Sequence, residues 1–146
     1  MIETPQYHDL QSEGQTRSFA HKLAAKLEPG DIILLQGDLG AGKTTLAREV
    51  IRSLTKDADK IVPSPTFTLV QSYESDKMDI WHFDLYRLSD PSEIFELGWQ
   101  EALTGPVVLV EWPDRLGDLT PDQAVRITIT RGKAGPESRH VEITGS

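Results

Sequence analysis

Apolar positions along this chain alternate between two periods, and that alternation predicts its elements. Phe19, Ala20, Leu23, Ala24 and Leu27 recur at helical spacing, so a helix is expected from about Ser12 to Leu27. Ser12 and Gln15 have the spacing of a capping box, and Pro29-Gly30-Asp31 ends the segment. Ile32 to Gln36 is a continuous apolar run of strand length, the pattern of a strand buried on both faces. A glycine-rich turn, Gly37 to Gly42, leads into a second helix from Lys43 to Leu54, with Leu46, Ala47, Val50, Ile51 and Leu54 on one face. Thr55 to Thr66, with Pro63 and Pro65, reads as a loop. Phe67 to Glu74 and Met78 to Asp84 read as a hairpin turning at Ser75-Asp76-Lys77. A helix is expected after Asp90, with Pro91 at its first position and Gly98 bending or ending it. Val107 to Glu111 is a second strand of the buried type. Val125, Ile127 and Ile129 alternate with polar residues, as do Arg139 to Ile143, with Gly132 to Ser138 turning between them. The sum is one α/β domain over residues 1–146, a mixed sheet flanked by helices with an antiparallel C-terminal hairpin.

Composition narrows the function. The 146 residues carry 15 Lys and Arg against 23 Asp and Glu, a formal charge of −8. Such a surface repels phosphate backbones, which argues against autonomous nucleic-acid binding. Without cysteine there is no disulfide, no thiolate metal site and no cysteine nucleophile. No apolar run approaches the roughly 20 residues that span a bilayer. With no basic-then-apolar leader pattern at Met1-Ile2-Glu3, a cytoplasmic location is expected.

The chemistry begins at the turn after the first buried strand. Gly37-Asp38-Leu39-Gly40-Ala41-Gly42-Lys43-Thr44 fits G-x-x-x-x-G-K-[ST], the phosphate-binding loop of P-loop NTPases. Backbone N–H groups must wrap a polyphosphate closely, so Gly37, Gly40 and Gly42 clear space and permit positive φ. The following helix presents free N–H groups and a positive dipole end. Lys43 is expected between the terminal phosphates, the Thr44 hydroxyl on Mg²⁺, and Thr45 toward the α-phosphate. The strand before and the helix after are the context this motif requires.

Such a loop needs a carboxylate at the end of a neighbouring strand to hold Mg²⁺ or to polarise the attacking water. Glu111 and Asp84 each end a predicted strand, and ligands of open α/β sheets bind beyond the carboxyl ends of strands. Ser64-Pro65-Thr66 lies where P-loop proteins carry a γ-phosphate-sensing Thr, with a rigid turn as the other reading, and Trp112, after Glu111, reads either as stacking near the nucleotide or as a core or rim aromatic. His82 alternates away from Trp81 and Phe83, within reach of a carboxylate, though a structural role is expected. Arg87 and Arg115 read as surface ion-pair residues, and His8, His21 and His140 lack metal-ligand spacing. No arginine stands out as a finger supplied in cis.

Four segments together resemble the TsaE (YjeE) family, small bacterial P-loop ATPases of tRNA threonylcarbamoyladenosine biosynthesis. They are Gly37 to Thr45, Ser64-Pro65-Thr66-Phe67, His82-Phe83-Asp84-Leu85-Tyr86-Arg87 and Val110-Glu111-Trp112-Pro113. The resemblance covers nearly the whole chain, and the last three segments are more specific than the P-loop. It implies ATP on the loop from Asp38 to Thr45, Mg²⁺ on Thr44 and Glu111, an essential Asp84, a switch-like Thr66 and Trp112 near the nucleotide. It also implies a complex with TsaD and TsaB, in which ATP hydrolysis supports repeated tRNA modification and tRNA is met only through the complex. Two alternatives stay open: an assembly factor in which nucleotide binding rather than hydrolysis matters, and a small-molecule kinase, though no arginine-rich lid is evident. A GTPase would need an Asn-Lys-x-Asp guanine reader, and the chain has no Asn.

Overall fold

The computed structural model describes residues 2–145, so Met1 and Ser146, at the ends of the predicted domain, lie outside the described residues. Seven strands form one sheet in the order β1-β7-β6-β2-β5-β4-β3. They are β1 (Gln6–Leu10), β2 (Ile32–Gln36), β3 (Val70–Tyr73), β4 (Ile80–Asp84), β5 (Val107–Glu111), β6 (Val125–Arg131) and β7 (Arg139–Gly145). The central four, β6, β2, β5 and β4, run parallel. β3 on one side, and β7 then β1 on the other, are antiparallel to their neighbours.

Two helices, α1 (Glu13–Lys26) and α2 (Lys43–Thr55), pack on one face of the sheet. There Phe19, Leu23, Leu46, Val50 and Ile51 meet Ile33 and Leu35 of β2 and Leu109 of β5. The opposite face of the sheet, with Leu34 of β2, Val108 and Val110 of β5 and Phe83 of β4, buries Trp99, Ile94 and Leu116. That face is covered by short pieces: 3₁₀ turns at Pro91–Leu97 and Pro113–Leu119 and a four-residue helix α3 (Trp99–Ala102). The two cores explain why β2 and β5 are apolar at successive positions rather than alternate ones.

The sequence reading needs several corrections. β1 is an additional strand; its inward positions are Gln6, His8 and Leu10, so a polar pair hides the alternation. Gln6 Oε1 and His8 Nε2 satisfy one another at 2.9 Å, and the His8 ring packs on Phe19. The strand expected from Phe67 starts only at Val70, because Leu69 N–H donates to the Pro65 carbonyl and closes a turn with Leu69 at φ 68°. Ser12 caps α1 by accepting from Gln15 N–H, but the Gln15 side chain accepts from Gln11 N–H rather than from Ser12. The helix expected after Asp90 is a 3₁₀ turn with a complete capping box. Gly98 separates it from α3 at φ 86°, where a Cβ would lie 2.9 Å from the Trp81 ring. Among the described residues no helix is long and apolar enough to cross a membrane.

Candidate nucleotide-binding site

The parallel strands end together, and their exits build the site. β2 pairs Leu35 with Glu111 of β5, and β5 pairs Glu111 with Asp84 of β4. The glycine loop leaves β2 one residue after Gln36, so loop, Glu111 and Asp84 stand side by side at the carboxyl edge of the sheet. Gly40 and Gly42 have φ of 78° and 109°, conformations that suit residues without a Cβ. Gly37 does not share that geometry: its constraint is space, since a Cβ there would meet the Ile129 carbonyl oxygen at 2.5 Å.

Lys43 opens α2 and is 5% exposed. Its Nζ donates to the Gly37 carbonyl and, at 2.9 Å, to the Asp38 carbonyl, and it lies 4.2 Å from the centroid of the Trp112 ring. Burial pulls its pKa below the ordinary lysine value of 10.5, and the carboxylates of Glu111, Asp84, Asp38 and Asp114 oppose that shift. Trp112 leaves β5 at φ 57°, a strained value for a residue with a Cβ, and its ring packs on Tyr86 at 4.9 Å between centroids. Leu39, at the loop tip, is 64% exposed, and Asp38 and Gly40 are exposed beside it.

Thr44 Oγ1 donates to Glu111 Oε1 at 2.8 Å. This brings a helix-start hydroxyl and a strand-end carboxylate, 67 residues apart in sequence, into contact. The other carboxylate oxygen, Oε2, lies 2.7 Å from His82 Nε2. Asp84, buried alongside, accepts from Thr66 Oγ1 at 3.0 Å and from Tyr86 N–H at 3.0 Å, and Ser64 Oγ lies 2.8 Å from Thr66 Oγ1. Ser64 and Thr66, on the proline-stiffened loop, are thus linked to β4 through one aspartate. Among the described residues no three His, Asp or Glu converge into a metal cage. The donors fit a P-loop Mg²⁺ site instead: one hydroxyl and one carboxylate, both hard oxygens.

Thr45 lines a small cleft with Leu10, Leu46, Ile129, Arg139 and Val141. Ala41 is buried in the α1–α2 core, and its carbonyl accepts from Arg139 Nε at 2.6 Å. Arg139 also donates to the Pro136 and Ser138 carbonyls, so it braces the loop from the β6–β7 hairpin. Arg131 approaches as well, its Nη2 lying 3.1 Å from where a Cβ on Gly40 would sit. The hairpin therefore brings two arginines to the loop, which the sequence reading did not anticipate; no local motif marks them. Arg87 stacks on the exposed Phe67 ring at 4.4 Å, and among the described residues neither it nor Arg115 forms an ion pair, contrary to expectation.

The family model described as "Threonylcarbamoyl adenosine biosynthesis protein TsaE" matches residues 10–141. The chain belongs to the TsaE family. A TsaE of Rickettsia conorii is 44% identical over 122 residues, covering 84% of this chain and 69% of the relative. TsaE of Bacillus subtilis is 38% identical over 131 residues, covering 89% and 79%. Both relatives are named tRNA threonylcarbamoyladenosine biosynthesis proteins. The crystal structure of Bacillus subtilis YdiB superposes with a TM-score of 0.76 at 28% identity, covering 99% of this chain and 88% of YdiB. The TsaE match spans every residue of the site, from the glycine loop to Trp112 and the hairpin arginines.

Proposed function

We propose that this chain binds Mg·ATP on the loop from Asp38 to Thr45 and hydrolyses it in tRNA N6-threonylcarbamoyladenosine formation, a cytoplasmic process. The observation that carries the reading is the Thr44–Glu111 contact beside a complete phosphate loop. Backbone N–H groups at the start of α2 bind the phosphates, and Lys43 supplies the cation. Thr44 and Glu111 hold Mg²⁺, which neutralises phosphate charge when bound. Asp84 is positioned to act on the attacking water or on the Ser64–Thr66 loop tied to it.

A surface at −8 gives no grip on a polyanion, so tRNA is met through partner proteins, TsaB and TsaD, whose turnover this ATPase supports. Hydrolysis by the isolated chain is slow. Arg139 is committed to backbone carbonyls, and an arginine or other charge supplied by a partner is worth about 10³–10⁵ in kcat where such fingers act. The test is steady-state ATPase with the TsaB–TsaD pair titrated in, beside a gel shift of the lone chain with tRNA. Stimulation by the pair and no tRNA shift are expected. A rate indifferent to the pair, or salt-resistant tRNA binding by this chain alone, refutes the reading. Replacing ATP by a non-hydrolysable analogue in multiple-turnover modification separates hydrolysis from binding alone.

A further inference from the structure

His82 is fully buried, and its only polar contact among the described residues is Glu111. It lies on β4 two residues before Asp84, on the face of the sheet that α2 covers, diagonal to Glu111 on β5. Glu111 Oε2 is 2.7 Å from His82 Nε2, while Oε1 faces the Thr44 hydroxyl. An ionised carboxylate accepts only, so Nε2 is the donor, and the other ring nitrogen, Nδ1, is buried without a partner. A histidine with a single polar partner, placed in the core at the cost of one unsatisfied nitrogen, is a poor choice for packing alone. An apolar side chain of similar size would pack there without that cost.

The geometry points to His82 as a positioning residue for the cation-binding carboxylate. Its N–H ties down Oε2 and fixes the rotation of the carboxyl group, so that Oε1 stays turned toward Thr44. Glu111 ends its strand and is followed by Trp112 in a left-handed conformation; β5 by itself does not set the carboxyl torsion. Ligating carboxylates are commonly held by such outer contacts, and losing one costs about 10–100-fold in metal affinity. The inference rests on the reading that Thr44 and Glu111 hold Mg²⁺, and adds a residue that touches neither metal nor nucleotide.

The test measures the Mg²⁺ concentration giving half-maximal enhancement of ATP binding, followed by calorimetry, in the parent and in variants. His82→Met removes the donor and keeps the bulk; His82→Gln places an amide N–H where Nε2 was. His82→Met is expected to need about 10–100 times more Mg²⁺, with ATP affinity in EDTA unchanged. His82→Gln stays within about threefold of the parent, and His82→Met adds nothing in a Glu111→Gln background, because both act through one carboxylate. If His82→Met is too unstable to assay, His82→Asn, whose amide is too short to reach Glu111, takes its place in the comparison. A parental Mg²⁺ requirement in the donor-less variant, failure of His82→Gln to rescue, or full additivity with Glu111→Gln overturns the inference. A parent whose ATP binding ignores Mg²⁺ overturns the metal reading itself, and the inference with it.

Discussion

Replacing Gly37 by alanine tests how tightly the loop is locked to the sheet. The added Cβ would lie 2.5 Å from the Ile129 carbonyl oxygen and 3.2 Å from Ala41 Cβ. An ordinary carbon–oxygen contact needs nearly 1 Å more than the first distance. Neither neighbour is a free side-chain end: Ile129 is part of β6, whose register to β2 includes Gln36 opposite Thr128, and Ala41 is packed against the helices. Relief therefore requires β6 and the loop to separate. Overpacking of this kind costs about 1–3 kcal/mol. For a chain of this size, that lowers Tm by roughly 4–10 °C. The same displacement shifts the first residue of the phosphate loop, so ATP affinity falls as well. Gly14→Ala is the control: in α1 its Cβ meets only Ser12 Oγ at 3.6 Å, and the better helix former raises stability by about 0.5–1 kcal/mol. Thermal scans with and without Mg·ATP read both effects. A Gly37→Ala protein as stable as the parent, with an undiminished ATP shift, refutes the steric argument.

Further predictions follow from the same geometry. Glu111→Gln and Asp84→Asn keep side-chain volume and hydrogen-bonding capacity, so both should fold, while kcat for ATP falls at least tenfold, a loss of about 1.4 kcal/mol or more; near-parental ATPase in both assigns these acids to structure. The lowered pKa of Lys43 makes it lose its proton at a lower pH than an ordinary lysine at 10.5, and a neutral amine does not serve the phosphates. ATP affinity should accordingly decline on the alkaline side before pH 10.5, and binding near that decline should take up a proton as the phosphates restore the charge. Calorimetry in buffers of different ionisation enthalpy reads the proton, and release instead of uptake contradicts the assignment.

Much of this was legible in the sequence because its strongest signals were local. The runs Ile32–Gln36 and Val107–Glu111 announce strands covered on both faces, and the glycine loop between a strand and a helix announces its own geometry. Placing Glu111 and Asp84 at strand ends was enough to set them beside the loop, because parallel strands end together. What stayed hidden depends on contacts distant in sequence. Nothing near Arg139 tells that its guanidinium meets the Ala41 carbonyl 98 residues away. β1 escaped because Gln6 and His8 satisfy each other on the inward face, and the pattern of apolar residues is blind to such a pair. The sequence shows His82 alternating away from Trp81 and Phe83 and within reach of a carboxylate, but which carboxylate it meets depends on the register of β4 against β5.

The central claim, that the glycine loop is a Mg·ATP site, is tested most directly by calorimetric titration of ATP into the parent and into Lys43→Ala, each with Mg²⁺. The account predicts saturable one-to-one binding to the parent. It predicts at least a tenfold weaker affinity in the variant, a difference of about 1.4 kcal/mol or more, with the fold unchanged by circular dichroism. No binding to the parent, or equal affinity in the two proteins, would contradict it.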